Sequence, residues 1–498
     1  MQKAKKILFT SVLFTSTLLT ACKKEDDGPN LIQGEVEVED EKKEEVKKPD
    51  NIEHYDYRNL PPAEPVDPLS IINKSGDFSD RYDRDTLDDG KDDKGIKVDV
   101  IYSYYARALP KRSQIAYREI LSAALNRRNT VNLTKSVSKS ELEKIMNIMF
   151  LDTPEAFMLD TKYQYNIDSV GNVSSVNLYY SMSPETQALY YDEYTTQINV
   201  YAEQIRTSEN TVEAVKSLAA NIEIRPDYSL NPESFEDAGV SVKFKSLKNQ
   251  PLFLMRSAGL SPNLIGIYKS YVAILREAGI DAAIMVGQLT NPEHYTGDLE
   301  YLGYNKDYIK EDVEGSKVTV TCDYSRLYAW IKVCINKKWY NVDTYFPALD
   351  KSVNKNESIK NIYKENSRDL LFLVDDYLIA QSRIFYMNDE LLGQSDPATG
   401  RTFQKYYRKG LYVPDQTEDK IANFIDSVVE RMPENKGEPI IYQFGSRDNF
   451  STFVDKYDER VGVFNRQYKQ PIRNYKMYSN DETLTIIIYD IVKRKSRT

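Results

Sequence analysis

This sequence has few of the side chains that most often serve as catalytic bases and nucleophiles. Its 498 residues include two histidines, His54 and His294, and three cysteines. His294 falls in the polar stretch NPEHYTGD, where a solvated side chain is expected. Cys322 and Cys334 are too few for a disulfide framework, so they are either bridged across neighbouring strands or separate, buried thiols. The composition leaves little material for histidine- or cysteine-based chemistry.

The chain also lacks an excess of basic residues. Its 66 lysines and arginines are outnumbered by 76 aspartates and glutamates, which gives a net charge of -10 and a pI near 5.2. Because nucleic acids are bound by positively charged surfaces, this balance argues against a nucleic-acid partner. With 41% hydrophobic residues, the chain can bury a sizeable core, and its length predicts two domains and a tail.

Long hydrophobic runs are missing except near the start of the chain. Residues 7–19 are apolar, follow a lysine-containing segment and are too short to span a bilayer, which is typical of a secretory signal. The run ends in LTAC, which resembles the bacterial lipobox. The resemblance implies that residues 1–21 are removed and that an acylated Cys22 anchors the protein at the outer face of the cell membrane. The alternative is an ordinary signal peptide with an incidental cysteine.

Residues 22–95 have the composition of a disordered tether. Stretches such as EVEVEDEKKEEVKKPD and LPPAEPVDP cannot bury enough apolar surface to offset the chain entropy lost on folding. The aspartate-rich residues 77–95 suggest a calcium loop, but Leu87 interrupts the alternating oxygen ligands that an EF-hand needs before its glycine. We therefore expect a solvated linker and no metal site.

The folded part is predicted to be α+β, with a first domain over residues 96–411 and a small second domain over residues 412–498. Capping residues and apolar spacing predict the elements of the first half. These are a helix over residues 111–126, a helix starting at the capping box of Ser138 and Glu141, a hairpin turning at Gly171-Asn172, a helix from Ser183 to about Arg206, and a helix capped by Asn210.

The second domain is predicted to be an α+β module with an antiparallel sheet. Its elements are a helix over residues 419–431, a strand over 439–444, a helix over 450–459, and strands over 474–478 and 484–491. It contains no histidine, cysteine or glycine-rich loop. Its sequence pattern indicates no particular function.

The most informative stretch is an apolar helix predicted over residues 261–280, with Ser261 as a suitable N-cap. A buried strand follows over residues 282–286, and LYAWIKVCINKKWYNVD predicts a hairpin about fifty residues later. If Ile335 faces Lys338 across the turn, Tyr328 and Asp343 lie diagonally on one face of this hairpin. The two side chains are then within reach of each other.

A helix start opposite two adjacent strands resembles the core of the transglutaminase-like (papain-related) superfamily. In that family a cysteine at the helix start is the nucleophile, a histidine on the first strand is the base, and an aspartate on the second strand orients the histidine. When the sequence is aligned on Ala278-Gly279-Ile280, Gly266 corresponds to the family glycine and Leu264 to the family cysteine. The family motif His-Ala-Trp corresponds to Tyr328-Ala329-Trp330. The family motif Trp-Tyr-x-Val-Asp is present as Trp339, Tyr340, Val342 and Asp343.

The resemblance covers roughly residues 97–400, and the segment before the helix is similar to that of transglutaminase-like proteins on Gram-positive surfaces. Of the three catalytic positions, Leu264 has no nucleophile and Tyr328 is a poor base at neutral pH because a phenol has a pKa near ~10. Asp343 alone is retained. The resemblance therefore implies a protein that is not an enzyme and that uses no cofactor.

Replacement of cysteine by leucine and of histidine by tyrosine has two alternative consequences. In the first alternative, an apolar, aromatic groove remains, flanked by Tyr268, Trp330 and Asp343, and would hold an extended peptide or glycan. In the second alternative, the new side chains fill and close the old site. The first alternative predicts a binding or scaffolding module whose partner is cell-wall peptidoglycan or a surface or host protein.

Two other classes of function compete with a binding module. An active hydrolase or transamidase would need Ser261 or Cys322 to converge with His294. A transporter-associated solute-binding lipoprotein would need two similar lobes around a hinge, and the sequence has no such repeat.

Overall fold

The computed structural model describes most of the chain between residues 103 and 493. The described residues are 103–181, 183–208, 210–221, 251, 264–290, 309–324, 327–343, 359, 361–362, 369–400, 411–432, 438–467 and 472–493. They belong to one compact unit, and their fold is α+β. The signal peptide, the tether, Cys22, Ser261 and both histidines lie outside the described residues.

In chain order, the described helices are α1 (Tyr104–Arg107), α2 (Lys111–Leu125), α3 (Lys139–Leu151), α4 (Pro184–Arg206), α5 (Thr211–Asn221), α6 (Leu264–Glu277), α7 (Asp376–Ile379), α8 (Tyr386–Leu391), α9 (Glu418–Arg431) and α10 (Arg447–Gln467). The described strands are β1 (Thr130–Ser138), β2 (Leu159–Ile167), β3 (Asn172–Tyr180), β4 (Ala282–Leu289), β5 (Ile309–Glu314), β6 (Lys317–Cys322), β7 (Tyr328–Ile335), β8 (Lys338–Val342), β9 (Phe372–Val374), β10 (Arg383–Ile384), β11 (Tyr412–Val413), β12 (Ile440–Phe444), β13 (Ile472–Asn480) and β14 (Thr485–Lys493). Within the described residues they form sheets of order β1-β3-β2-β6-β5, β10-β4-β7-β8-β9 and β11-β12-β14-β13.

Two helix starts predicted from capping residues are confirmed. Ser138 Oγ accepts a hydrogen bond from the Glu141 N–H at 3.3 Å, and Glu141 Oε2 accepts one from the Ser138 N–H at 2.8 Å. Asn210 Oδ1 accepts the N–H of Val212 at 3.0 Å at the start of α5. These bonds satisfy backbone donors that have no partner within the helix.

The region before the second domain's predicted start contains more sheet than its sequence predicts. The predicted helices and the β2–β3 hairpin are present, and β1, β5 and β6, which were not predicted, extend this hairpin into a five-stranded antiparallel sheet. β5 lies at the edge and is almost fully exposed, so it has no alternation of apolar residues. β1 has an irregular register between Asn132 and Val137, which interrupts its alternation. Helices α2 and α3 cover one face of the sheet.

The second sheet contains the predicted central hairpin. β7 and β8 pair from Ile335 opposite Lys338 to Ile331 opposite Val342, which confirms the predicted register. Asn336 and Lys337 both have positive φ, 52° and 61°, as the turn of a two-residue hairpin requires. Helix α6 packs on β4 and β7, and the backbone after it turns at Gly279 with φ 87°.

The third sheet confirms the helices and antiparallel strands predicted for the C-terminal residues. β12, β14 and β13 are antiparallel, and the short β11 adds a parallel edge. Helices α9 and α10 pack through a cluster of aromatic rings in which Phe424, Phe444 and Phe453 are in mutual contact. The module contacts the preceding segment, since Gln443 Nε2 donates to the Leu370 carbonyl at 3.0 Å and the Arg447 N–H donates to Tyr377 Oη at 3.0 Å.

The cysteines on β6 and β7 are separate thiols. Neither Cys322 nor Cys334 forms a disulfide, so the alternative of a bridge between them is wrong. Their strands belong to different sheets. Among the described helices, none is long and apolar enough to cross a membrane.

Candidate functional site

The second sheet and its helix carry the three positions, Leu264, Tyr328 and Asp343, that the sequence analysis singled out. Leu264 is the first residue of α6, Tyr328 is the first residue of β7, and Asp343 directly follows β8. The Asp343 N–H donates to the Leu371 carbonyl at 2.8 Å, which fixes the backbone at this position. Tyr268 lies one turn after Leu264, so both side chains occupy one face of the helix.

The Asp343 carboxylate is the centre of a buried hydrogen-bonded network. Tyr268 Oη donates to Asp343 Oδ1 at 2.9 Å, and Tyr328 Oη donates to Oδ2 at 2.9 Å. Arg383, from β10, forms an ion pair with the same Oδ2. The side chains of Asp343 and Arg383 have no solvent-accessible surface. Two phenols and one guanidinium therefore replace the water that would otherwise solvate this carboxylate.

Arg383 also contacts the ring of Tyr328. Its Cζ lies 4.6 Å from the centroid of the Tyr328 ring, a cation–π distance. Its Nη1 donates to Ser382 Oγ at 2.7 Å. Arg383 is not recognisable from the sequence, because nothing in the local pattern connects a residue in the stretch QSRIF with a carboxylate 40 positions earlier.

Both tyrosines in this network are held in their protonated form. Burial raises the pKa of Tyr268 and of Tyr328 well above the ordinary value of 10, and the negative charge of Asp343 raises both further. Arg383 acts in the opposite direction and does not offset these effects. Tyr328 is thus a hydrogen-bond donor to Asp343, and it cannot serve as a general base near neutral pH.

Trp330 belongs to a second buried network beside the first. Its Nε1 donates to Asn341 Oδ1 at 3.0 Å, and its ring packs edge-on against Phe385 with centroids 5.2 Å apart. Asn341 Nδ2 in turn donates to Asp376 Oδ1 at 2.8 Å. Gly287 leaves room for the indole, because a Cβ at this position would lie 3.1 Å from the Trp330 ring. The indole is therefore part of the packed core.

The burial of these side chains corrects the expectation of an open groove. Tyr268 is 1% exposed, and Trp330 and Asp343 are 0% exposed. Leu264 is 8% exposed. In the described part of the chain these side chains are therefore packed within the protein and do not line an open groove. The physical reason is that the carboxylate is stable away from water only with its donors packed around it.

Cys322, a member of the alternative catalytic set of Ser261, Cys322 and His294, is also unreactive. Cys322 is 3% exposed, and burial raises the pKa of its thiol to about 12. A thiol with such a pKa is not a nucleophile at neutral pH, because the thiolate is the reactive form. Ser261 and His294, the other members of that set, lie outside the described residues.

A third buried polar cluster lies on another side of α6. Arg276 Nη2 donates to Asp152 Oδ1 at 2.7 Å, and Nη1 donates to the Asp152 carbonyl at 2.8 Å. Lys269 Nζ donates to the Phe150 carbonyl at 2.8 Å, and burial lowers the pKa of Lys269 to about 7. Burial also raises the pKa of the nearby Glu155 to about 7. Two cations within an otherwise apolar helix were the sequence signal for this cluster.

Comparison with known proteins adds no family to this description. No protein-family model matches the chain, and a search of curated proteins finds no match. In the part of the chain that the structure describes, no group of three or more histidine, cysteine, aspartate or glutamate side chains is arranged to hold a metal ion.

Proposed function

We propose that this protein is a lipid-anchored, extracytoplasmic binding or scaffolding module built on a catalytically inactive transglutaminase-like domain. One observation carries the proposal. The carboxylate that would orient a catalytic histidine is instead buried and bonded to Tyr268, Tyr328 and Arg383. An acyl-transfer site needs this position to be open to substrate.

The chemistry of the replaced residues supports the same proposal. Acyl transfer through a thioester needs a thiolate and a base that accepts its proton. Leu264 offers no lone pair, and Tyr328 remains protonated because its pKa is raised. Asp343 uses both carboxylate oxygens to accept hydrogen bonds within the protein. The site thus stabilises the domain and performs no step of catalysis.

The absence of catalysis is tested directly. We expect the purified chain to show no transamidase activity with an amine donor and a glutamine peptide, and no protease activity on unfolded casein. Iodoacetamide should change neither signal, because the family nucleophile is replaced by Leu264. A papain sample treated in the same way is the positive control. Turnover that iodoacetamide abolishes would support the alternative, an active hydrolase or transamidase using non-standard residues, and would end this proposal.

The anchor is proposed from the sequence at Cys22 and has its own test. In cells fed a palmitate analogue that can be labelled, we expect wild-type protein to carry the label and to sediment with membranes. The Cys22→Ser variant should lose the label and leave the membrane fraction, because a serine oxygen does not take the thioether-linked diacylglyceryl group. The Cys322→Ser and Cys334→Ser variants are matched controls and should remain labelled. Label retained by Cys22→Ser would contradict lipidation at this residue.

A further inference from the structure

The first sheet has an outward surface made of polar side chains, nine of them uncharged and five ionic. We call it the polar face. The strand register arranges its residues in three rows across the sheet. These are Lys310, Thr321, Lys162 and Tyr179; Asp312, Thr319, Gln164, Asn177 and Thr130; and Glu314, Lys317, Asn166, Ser175 and Asn132. Five strands at a spacing of about 4.8 Å make this face about 19 Å wide.

A chain of hydrogen bonds runs through the middle row from β1 to β6. Thr130 Oγ1 donates to Asn177 Oδ1 at 2.9 Å, Asn177 Nδ2 donates to Gln164 Oε1 at 3.4 Å, and Gln164 Nε2 donates to Thr319 Oγ1 at 2.9 Å. These bonds fix the orientation of both side-chain amides. The half-buried Asn177 amide keeps a second N–H and a carbonyl lone pair for another molecule, while Gln164, at 9% exposure, mainly holds the row in place. The row is therefore an ordered set of donors and acceptors before any ligand arrives.

The polar face is exposed to solvent and differs in charge from the rest of the protein. Most of its side chains are exposed or half-buried, and Gln164 is the most shielded at 9%. Its ionic groups are three lysines, Lys162, Lys310 and Lys317, against two carboxylates, so the face is slightly cationic within a chain of net charge -10. The row that contains Lys162 and Lys310 has no acidic residue.

We propose that the polar face docks the glycan strands of cell-wall peptidoglycan, with its lysines facing the carboxylates of the peptide stems. This inference rests on the proposed function and names the partner of the module. Glycan hydroxyl and acetamido groups are uncharged donors and acceptors, which match the amides and hydroxyls of the middle row. The half-buried Tyr179 adds an aromatic ring at one end, with Lys162 Nζ 5.1 Å from its centroid.

Other classes of partner fit this surface less well. A stable protein interface has an apolar centre, and the polar face places Gln164, Asn177 and Thr319 at its centre. Nucleic acid requires an extended cationic surface, and three lysines beside two carboxylates do not provide one. A glycan carrying scattered carboxylates satisfies both the uncharged centre and the lysines.

The test uses the lipid-free chain from position 22 with Cys22→Ser, mixed with purified sacculi and sedimented. The test variant is Asn166→Glu/Thr321→Glu. Thr321 lies between Lys162 and Lys310, and Asn166 lies opposite Lys317, so the new carboxylates pair with the lysines and repel the stems. The control variant, Asn474→Glu/Ser479→Glu, adds the same two charges at exposed positions of β13. All three proteins should have the same melting temperature within about 2 °C.

We expect the wild type and the control to sediment with sacculi. The affinity of the test variant for sacculi should be lower by a factor of about ten or more. Glycan strands stripped of peptide by an amidase should compete for binding, and free stem peptides should compete poorly. Equal sedimentation of all three proteins would overturn the assignment of this face. Competition by stem peptides alone, or no sedimentation of the wild type, would overturn the glycan as partner. None of these outcomes produces turnover, so the assay for catalysis tests the proposed function separately.

Discussion

Replacement of Asp343 by alanine is expected to lower the free energy of unfolding by about 3–5 kcal/mol. The substitution leaves the Arg383 guanidinium buried without its counter-ion, and it removes the acceptor of two buried phenols, Tyr268 and Tyr328. An uncompensated buried charge is among the most destabilising changes available to a protein core. Urea unfolding at pH 7, followed by circular dichroism and by the fluorescence of the buried Trp330, measures the loss.

Two further variants test whether the loss of stability in Asp343→Ala comes from the unpaired, buried charge of Arg383 and not from the loss of any aspartate. Asp281 pairs with Arg107 at 2.9 Å with both side chains partly exposed, so Asp281→Ala should cost less than about 1 kcal/mol. Asp343→Leu combined with Arg383→Met removes both charges and should recover much of the stability lost in Asp343→Ala. If Asp343→Ala unfolds within about 1 kcal/mol of the wild type, the carboxylate is hydrated, and the site is open as a catalytic cleft would be.

The features that sequence reasoning predicted correctly are those encoded within a few residues. The capping box needs only Ser138 and Glu141, and the central hairpin needs only a two-residue turn between β-branched and aromatic runs. The register then follows by counting, which is why the contact between Tyr328 and Asp343 was predicted before the structure placed their atoms 2.9 Å apart. The C-terminal strands were predicted for a similar reason, because they are short runs of apolar and aromatic residues such as IIYQF and TIIIY.

The features that sequence reasoning missed depend on contacts between distant segments. β5 has no apolar pattern because it lies at an edge, so only its pairing with β6 makes it a strand. Arg383 reaches Asp343 because β10 joins the edge of the sheet next to β4. Whether Tyr268, Tyr328 and Asp343 lie in an open groove or in a packed core also depends on such contacts. Local pattern could not decide between the two, because burial of a charge is decided by its partners.

Replacement of two buried lysines, Lys332 and Lys269, by methionine is expected to change the free energy of unfolding in opposite directions. Lys332 Nζ donates to Asp376 Oδ2 at 3.0 Å, to Ser395 Oγ at 3.0 Å and to the Asp396 carbonyl at 2.8 Å. Lys332→Met leaves Asp376 buried without this cation, and it should cost about 3–5 kcal/mol. Lys269 is also buried, and its surroundings disfavour the charge enough to lower its pKa to about 7. Lys269→Met should therefore raise the free energy of unfolding at pH 7, by about 1–4 kcal/mol.

The pH dependence of the stability gained by Lys269→Met tests whether the lowered pKa of Lys269 causes the gain. The pKa of Lys269 is about 7 in the folded protein and near the ordinary 10.5 in the unfolded chain, so between these values the unfolded chain binds more protons. The wild type therefore gains stability from this group as the pH rises from 7 to 10.5, and the advantage of Lys269→Met should shrink over the same interval. Glu155 and Asp152 face Lys269 in both proteins, but the charge of Lys269 lowers the pKa of Glu155, so the ionisation of Glu155 also contributes to the difference near pH 7 and contributes less toward pH 10. Urea unfolding of wild type and variant at pH 7, 8, 9 and 10 gives the difference directly. A difference that stays constant with pH would mean that Lys269 keeps its ordinary pKa and that the methionine acts only through packing.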